Sequence, residues 1–338
     1  MIDLRLRVPF DRKARRTDGG AIARHSPGWR FDLTGSLRQE VTARFGVIFT
    51  GGGQVGISRM ITPSLRTFVR ADIYRSQINV ANLRINGNND TSSVPDNTTT
   101  IKGIVGIAWD RRVGADGLLN PLAPVKGWFL QGSVAYAPSF FVSQFLVFKG
   151  QAEGIIPFKI RGTTFTLMGN VRYDHGLPID TPALPLVERF YAGGDTQVRG
   201  YDTDALKSEI IRTTVSPLPG DSGFRVVPEG GNIRLVNTVE FWFPIAKSFL
   251  GLPLVWAGAL FWDMGMVFNR WDLVKGSDVK QSIGISLLRL ETPVGPLSIE
   301  YAYPLVQTLA EERWKTAPWY SHFPGRIHFN WGIPLSIL

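Results

Sequence analysis

Residues 231–245 read GNIRLVNTVEFWFPI, and this stretch decides the fold. Ile233, Leu235, Val239, Phe241 and Phe243 alternate with Asn232, Arg234, Thr238 and Glu240. Successive side chains of a strand point to opposite faces, so a period of two marks a strand whose faces meet different surroundings. One face here is apolar and aromatic. The other carries ionised groups in mid-strand, which a dry core cannot hold without partners.

The same period recurs along the chain. Leu4, Leu6, Val8 and Phe10 oppose Asp3, Arg5 and Arg7. Trp29, Phe31, Leu33 and Leu37 oppose Arg30, Asp32, Thr34, Ser36 and Arg38. Ile327, Phe329 and Trp331 oppose Arg326, His328 and Asn330. The pattern predicts strands over 3–10, 29–38, 40–50, 54–61, 65–75, 77–86 and 101–112. It predicts eight more over 128–138, 143–157, 162–175, 232–244, 254–268, 281–292, 296–304 and 326–334. Bacterial single-chain barrels have an even strand number, so one more strand is expected near residues 14–25, giving 16.

A soluble sandwich or propeller also alternates. Two features favour a membrane barrel. Aromatics cluster near strand ends (Trp29, Phe49, Tyr173, Trp242, Trp262, Phe268, Tyr303 and Trp331), as interfacial girdles require. The charged faces need water or one another, which a wet bore supplies. The expected fold is therefore all-β, a transmembrane antiparallel β-barrel, with the whole chain, 1–338, as a single barrel domain.

Composition agrees. Of 338 residues, 19% are charged, below the roughly 25% of soluble domains, while 44% are apolar. No cysteine is present, which excludes disulfide frameworks, thiolate metal sites and thiol nucleophiles. Residues 127–148 are free of charge, but Gln131, Ser133, Pro138, Ser139, Ser143 and Gln144 interrupt them, so two strands and a turn fit better than a membrane helix. Residues 1–7 have no apolar core or small-residue cleavage site and do not read as a signal peptide.

The net charge of +9 is spread over inward faces and loops rather than one basic stripe. It reads as lumen charge with contact to anionic lipid head groups, not as a nucleic-acid surface. Gly51 to Gly56 matches G-x-G-x-x-G, but strand-like sequence follows, so it reads as a glycine-rich hairpin turn and not a dinucleotide site. His25, His175, His322 and His328 are scattered, and Glu311 and Glu312 point apart. No metal site, cofactor or catalytic group is expected, and the chain does not read as an enzyme.

One connection is long. Residues 176–230 show no clear strand pattern, and a loop of that length is usually functional or disordered. Within it, residues 189–201 read RFYAGGDTQVRGY. Gly193, Gly194 and Gly200 permit positive φ and close backbone approach, so the loop can fold back on itself. Arg199 is a planar fork of donors suited to carboxylates. Glu240 and Asp263 both fall on inward faces, one strand and one short connection apart. A loop dipping into the lumen would bring Arg199 between them; a solvated loop arginine is the alternative.

This segment resembles the loop-six signature of the BamA/TamA superfamily of outer-membrane protein insertases. The segments 231–245, 259–269 (ALFWDMGMVFN), 292–305 (TPVGPLSIEYAYPL) and 325–332 (GRIHFNWG) are similar to that family's last barrel strands, in family order. Residues 109–128 resemble its turn into the second half of the barrel. Before residue 109 only the strand pattern speaks. The resemblance implies that Arg199 locks to Glu240 and Asp263, with Glu300 a secondary lumen acid. Gly193, Gly194, Val198, Gly200 and Tyr201 complete the loop motif, and Tyr201 packs the loop tip against the barrel wall. Asp195 is TamA-like, while other segments are equally BamA-like.

The resemblance further implies a bacterial outer-membrane location and insertion or secretion of unfolded outer-membrane protein clients. Strands would be templated at a lateral seam between the first and last strands. The implied partners are those clients, the lipid bilayer with its lipopolysaccharide, and periplasmic accessory subunits or lipoproteins. A passive, porin-like channel is the other reading. The family's periplasmic POTRA modules are not expected within these residues.

Overall fold

The computed structural model describes residues 2–9, 28–42, 46–78, 97–114, 117–120, 124–140, 143–195, 197–212, 224–228, 230–246, 256–292, 295–306 and 325–331. The strands are β1 (Ile2–Pro9), β2 (Trp29–Thr42), β3 (Gly46–Thr62), β4 (Leu65–Ile78), β5 (Asn97–Asp110), β6 (Gly127–Ala137), β7 (Phe145–Ile160), β8 (Thr163–Pro178), β9 (Ser208–Arg212), β10 (Phe224–Pro228), β11 (Ile233–Ala246), β12 (Trp256–Phe268), β13 (Lys280–Thr292), β14 (Gly295–Pro304) and β15 (Arg326–Trp331). Thirteen of them form one antiparallel sheet in chain order, with β8 pairing directly to β11. The other two, β9 and β10, make a separate ribbon inside the long connection.

The period of two becomes two faces. On the convex side stand Val69, Val105, Leu260, Ile327 and Phe329, each at least half exposed. A contiguous apolar surface of this kind is foreign to a soluble monomer and suits a lipid-facing wall. On the concave side stand buried Asp174, Arg234, Glu240, Asp263 and Glu300. The sheet curls around the long connection, because Lys102 on β5 and Arg326 on β15 both reach that one loop. The concave side is not uniformly ionic. Ile104, Ala135, Ala137, Phe145 and Val147 form an apolar bed there, covered by Leu184 and Phe190 of the loop.

Two-residue turns join β3 to β4 and β7 to β8 at one rim. Between β7 and β8, Arg161 and Gly162 have φ of 49° and 83°, the paired positive values of a hairpin turn whose twist matches its strands. The opposite rim carries the long connection between β8 and β11.

Several expectations need correction. Residues 40–50 and 54–61 are not two strands: 40–42 end β2, and Gly46–Thr62 is one strand. Gly51 to Gly56 is therefore no turn but mid-strand, with Gly52 opposite Tyr74 and Gly56 opposite Arg70. The glycines are there for close approach. A Cβ on Gly52 would stand 2.5 Å from both the Ile73 carbonyl oxygen and Tyr74 Cβ. The 176–230 stretch is not free of strand, since β8 runs to Pro178 and the β9–β10 ribbon lies within it. The strands expected near 14–25 and over most of 77–86 lie outside the described residues. Thirteen strands of the sheet lie within the described residues.

Gly52→Ala should destabilise the folded protein by about 1–3 kcal/mol, the usual cost of overpacking. Gly53→Ala, whose nearest neighbour would lie at 3.7 Å, should be close to neutral. Denaturant titration of the refolded barrel, read by heat-modifiable gel mobility, separates the two.

Candidate functional site

The loop between β8 and β11 builds the site. At its base, Phe190 and Gly231 exchange two backbone hydrogen bonds of 2.9 Å, and Leu184 N–H donates to Asn232 Oδ1 at 3.0 Å. Arg234 on β11 then ties the loop to the wall. It donates to Asp174 Oδ2 at 2.6 and 2.8 Å, and to the Tyr191 carbonyl at 2.8 Å.

Beyond the base the chain doubles back. Gly193 and Gly194 have φ of 119° and 93°, where an L side chain is strained. A Cβ on Gly193 would also lie 2.3 Å from the Asp202 carbonyl. The fold-back is closed by Gly194 N–H to Tyr201 O and Leu206 N–H to Ala192 O, both 3.1 Å. Ala192, Val198, Tyr201 and Leu206 pack into one buried cluster with Val236 of β11 and Val267 of β12. Gly200 serves close approach, with no positive φ. A Cβ there would stand 2.5 Å from Ser282 Cβ and 3.1 Å from Pro304 N. Its N–H donates to Ser282 Oγ at 3.2 Å. Tyr201 is fully buried, its hydroxyl within 2.8 Å of the Gln281 carbonyl and 2.6 Å of the Val306 carbonyl.

This scaffold delivers Arg199 into the lumen. Nε and Nη2 donate to Asp263 Oδ2 and Oδ1, each at 2.8 Å, a bidentate pair. The Arg199 backbone N–H adds a third bond to Asp263 Oδ2 at 3.1 Å. Nη1 meets Glu240 Oε1 at 2.8 Å and Glu300 Oε2 at 3.1 Å. The guanidinium lies 3.4 Å from the Phe261 ring centroid. Such a desolvated cation–π contact contributes on the order of 2 kcal/mol. Burial alone would lower the pKa of Arg199. Its hydrogen bonds to Asp263 and the charges of Glu240, Asp263 and Glu300 outweigh burial and hold it above the ordinary arginine value.

The structure thus brings together Arg199, Glu240, Asp263 and Glu300. Glu240 lies opposite Phe261, and Asp263 opposite Thr238, so the two carboxylates are diagonal neighbours on β11 and β12. Glu300 arrives from β14 and bonds the same guanidinium, a fuller partner than a secondary acid.

Three further contacts escaped the sequence. Trp242, expected in an outer girdle, shares the inward parity of Glu240 and donates to Glu240 Oε2 at 2.6 Å. Phe261 is indistinguishable in sequence from the lipid-facing aromatics beside it; only its parity with Asp263 marks it. His328 meets the Arg199 carbonyl through Nε2.

Two more side-chain contacts tie the loop to distant strands. Arg326 on β15 meets Asp202 at 2.6 Å. Lys102 on β5 meets both oxygens of Glu188 at 3.1 and 3.2 Å. Burial, and then the charge of Asp72, push the Glu188 carboxyl up to about 8. Among the described residues no group of three or more His, Asp or Glu side chains is arranged to hold a metal ion.

The Omp85 superfamily domain matches residues 17–334. The chain belongs to the Omp85 superfamily. Over 127 residues it is 32% identical to the outer membrane protein assembly factor BamA of Nitratidesulfovibrio vulgaris, a match covering 36% of this chain and 13% of that protein. The crystal structure of BamA from Haemophilus ducreyi lacking POTRA domains 1–3 superposes with a TM-score of 0.65 at 14% identity, over 97% of this chain and 60% of that one. That likeness shows that the sheet has the BamA barrel fold. CdiB from Acinetobacter baumannii gives a TM-score of 0.47 at 17% identity, over 84% of this chain and 44% of that one. The chain thus spans between 13% and 60% of the length of these proteins.

Arg199→Ala strands three buried carboxylates and should cost about 3–5 kcal/mol, the range for breaking a buried ion pair from one side. Glu300→Gln, which leaves the bidentate Asp263 pair intact, should cost less. Unfolding midpoints in denaturant give the order.

The raised Glu188 pKa makes a pH prediction. The folded state holds this proton up to about pH 8, whereas the unfolded chain releases it near 4.5. The stability it contributes is full below 4.5 and is lost as pH rises toward 8. Melting temperatures taken from pH 5 to 8 should fall in the native protein, and fall less in Glu188→Gln.

Proposed function

We propose that this chain forms the membrane-embedded barrel of an outer-membrane protein insertase or translocase. It works by strand templating, without making or breaking covalent bonds, and so is not an enzyme. Its location is the bacterial outer membrane, crossed repeatedly by the strands. Its partners are unfolded outer-membrane protein clients, the surrounding lipid with its lipopolysaccharide, and periplasmic accessory subunits or lipoproteins.

The observation that carries this reading is the caged loop. Arg199 is bound by acids from three strands, and the same loop is tied to β5 and β15, so the bore is occupied by an ordered element. A passive channel needs a continuous open bore. Superfamily membership and the BamA relative, an outer membrane protein assembly factor, support the same choice.

The sheet ends support the templating step. Among the described residues β1 and β15 are the shortest strands of the sheet, 8 and 6 residues, and no ladder joins them. Among the described residues each of these two strands has a ladder partner on one edge and none on the other, the kind of edge that an incoming strand completes by β-augmentation. The Arg199 cage lies beside one of these ends. Glu300 on β14 is paired with His328 on β15, and His328 contacts the Arg199 carbonyl. The loop therefore props the last described strand from inside while its outer edge stays open.

The natural absence of cysteine makes the test clean. Pairs of cysteines placed along 2–9 and 326–331 should form a disulfide under oxidation. That closure should abolish insertion of an urea-unfolded porin into liposomes, and reduction should restore it. Insertion undiminished by a formed crosslink would overturn the seam mechanism; steady solute flux without insertion would favour the channel.

A further inference from the structure

The lipid-facing wall is not evenly filled. Strand register carries one outward row from Trp29 to Arg59 and Thr67, and on through Ile107 to Gly132, Gly150 and Tyr173. The neighbouring outward rows are bulky, with Val105 and Val134 on one side and Trp109 and Leu130 on the other. The two glycines drop the floor between them. A Cβ on Gly132 would meet nothing within 4 Å, and one on Gly150 only the Tyr173 carbonyl at 3.9 Å. The result is an almost wholly apolar trench across the strands, with hollows of about 800 and 500 Å3 on its two sides.

The trench is charged at one end. Arg59 projects from the outer face with its guanidinium 5.2 Å from the Trp29 ring centroid. It stands near the turn end of β3 at Thr62, whereas Tyr173 stands near the loop end of β8 at Pro178. Short turns face the periplasm in such barrels, so Arg59 lies at the periplasmic head-group level and the trench rises from there toward mid-bilayer. Five strand spacings of about 4.8 Å separate β3 from β8, so the trench is about 24 Å long, comparable with an extended acyl chain.

We propose that this trench is a binding site for one anionic phospholipid, its phosphate on Arg59 and one acyl chain laid along the glycine floor. Any lipid-facing wall touches lipid. This one adds a concave apolar bed, which buries an acyl chain on more than one side, and a cation at its head-group end. Charge complementarity selects an anionic over a zwitterionic head group. The proposal rests on the lipid-facing placement of the convex side and is independent of insertase activity.

The test uses the full chain in mild detergent with phosphatidylglycerol or phosphatidylcholine, read by native mass spectrometry. The native protein should retain phosphatidylglycerol several-fold over phosphatidylcholine. The doubly filled variant Gly132→Leu with Gly150→Leu should lose most of the retained lipid of both kinds. Arg59→Gln should lose the preference for phosphatidylglycerol while keeping acyl occupancy.

A phosphatidylglycerol with a diazirine on its acyl chain should label Ile107, Val134 and Tyr173 in the native protein, a readout that does not depend on the variants folding. Labels spread evenly over the outer faces of β2 to β15 would overturn the proposal. So would unchanged retention in a filled variant that keeps heat-modifiable mobility, or a dimer in which a second copy covers the trench.

Discussion

A guanidinium held by three carboxylates inside the sheet is the interaction on which the rest depends. Arg199 and its acids are all nearly withdrawn from water. None of them is tolerable there alone, so each requires the others. The geometry leaves little slack: Asp263 takes one edge of the fork, through Nε and Nη2, and the backbone N–H, and Glu240 and Glu300 share the remaining nitrogen. Because the acids come from β11, β12 and β14, satisfying one loop cation fixes the relative positions of three strands. The His328 contact extends that constraint to β15.

The cage works only because the loop backbone can reach it. Gly193 and Gly194 supply the positive φ that turns the chain back. Gly200 supplies the absent side chain that lets the loop lie against Ser282 and Pro304. Tyr201 and Val198 then fill the space between loop and wall, so the apolar cluster and the ion cage stabilise the same conformation from two sides. On the far wall, Leu184 and Phe190 cover the apolar bed of β5 to β7, while Lys102 holds Glu188. The loop crosses the lumen with anchors at both ends, which is why it behaves as part of the core and not as a surface connection.

The outer face answers to another constraint. Its side chains are mostly apolar, with Arg59 and Thr67 among the exceptions, and their size varies from row to row. Gly132 and Gly150 on this face leave a hollow, whereas Gly258 on the same face and Gly52 on the inner face make room for a large neighbour. The same residue type thus serves either purpose, and the residue on the neighbouring strand decides which applies.

Much of this was legible in the residues. Alternation is a local property, so thirteen of the predicted strand positions and both faces could be read without knowing any partner strand. The RFYAGGDTQVRGY segment and the inward parity of Glu240 and Asp263 were local too. The sequence misled where a local signal had a distant cause. The glycines of 51–56 looked like a turn because their reason, Tyr74 on the next strand, is invisible in the stretch itself. Trp242 looked like a girdle residue because an aromatic near a strand end carries no mark of the carboxylate it will meet. By itself the sequence determined a two-faced sheet with an arginine loop to bury. Only the tertiary structure decided that Glu300 joins the cage, that Phe261 lies against the guanidinium, and that Glu188 reaches β5. Those contacts depend on strand register and on the path of one long loop, and both are set by pairings between residues far apart in the chain.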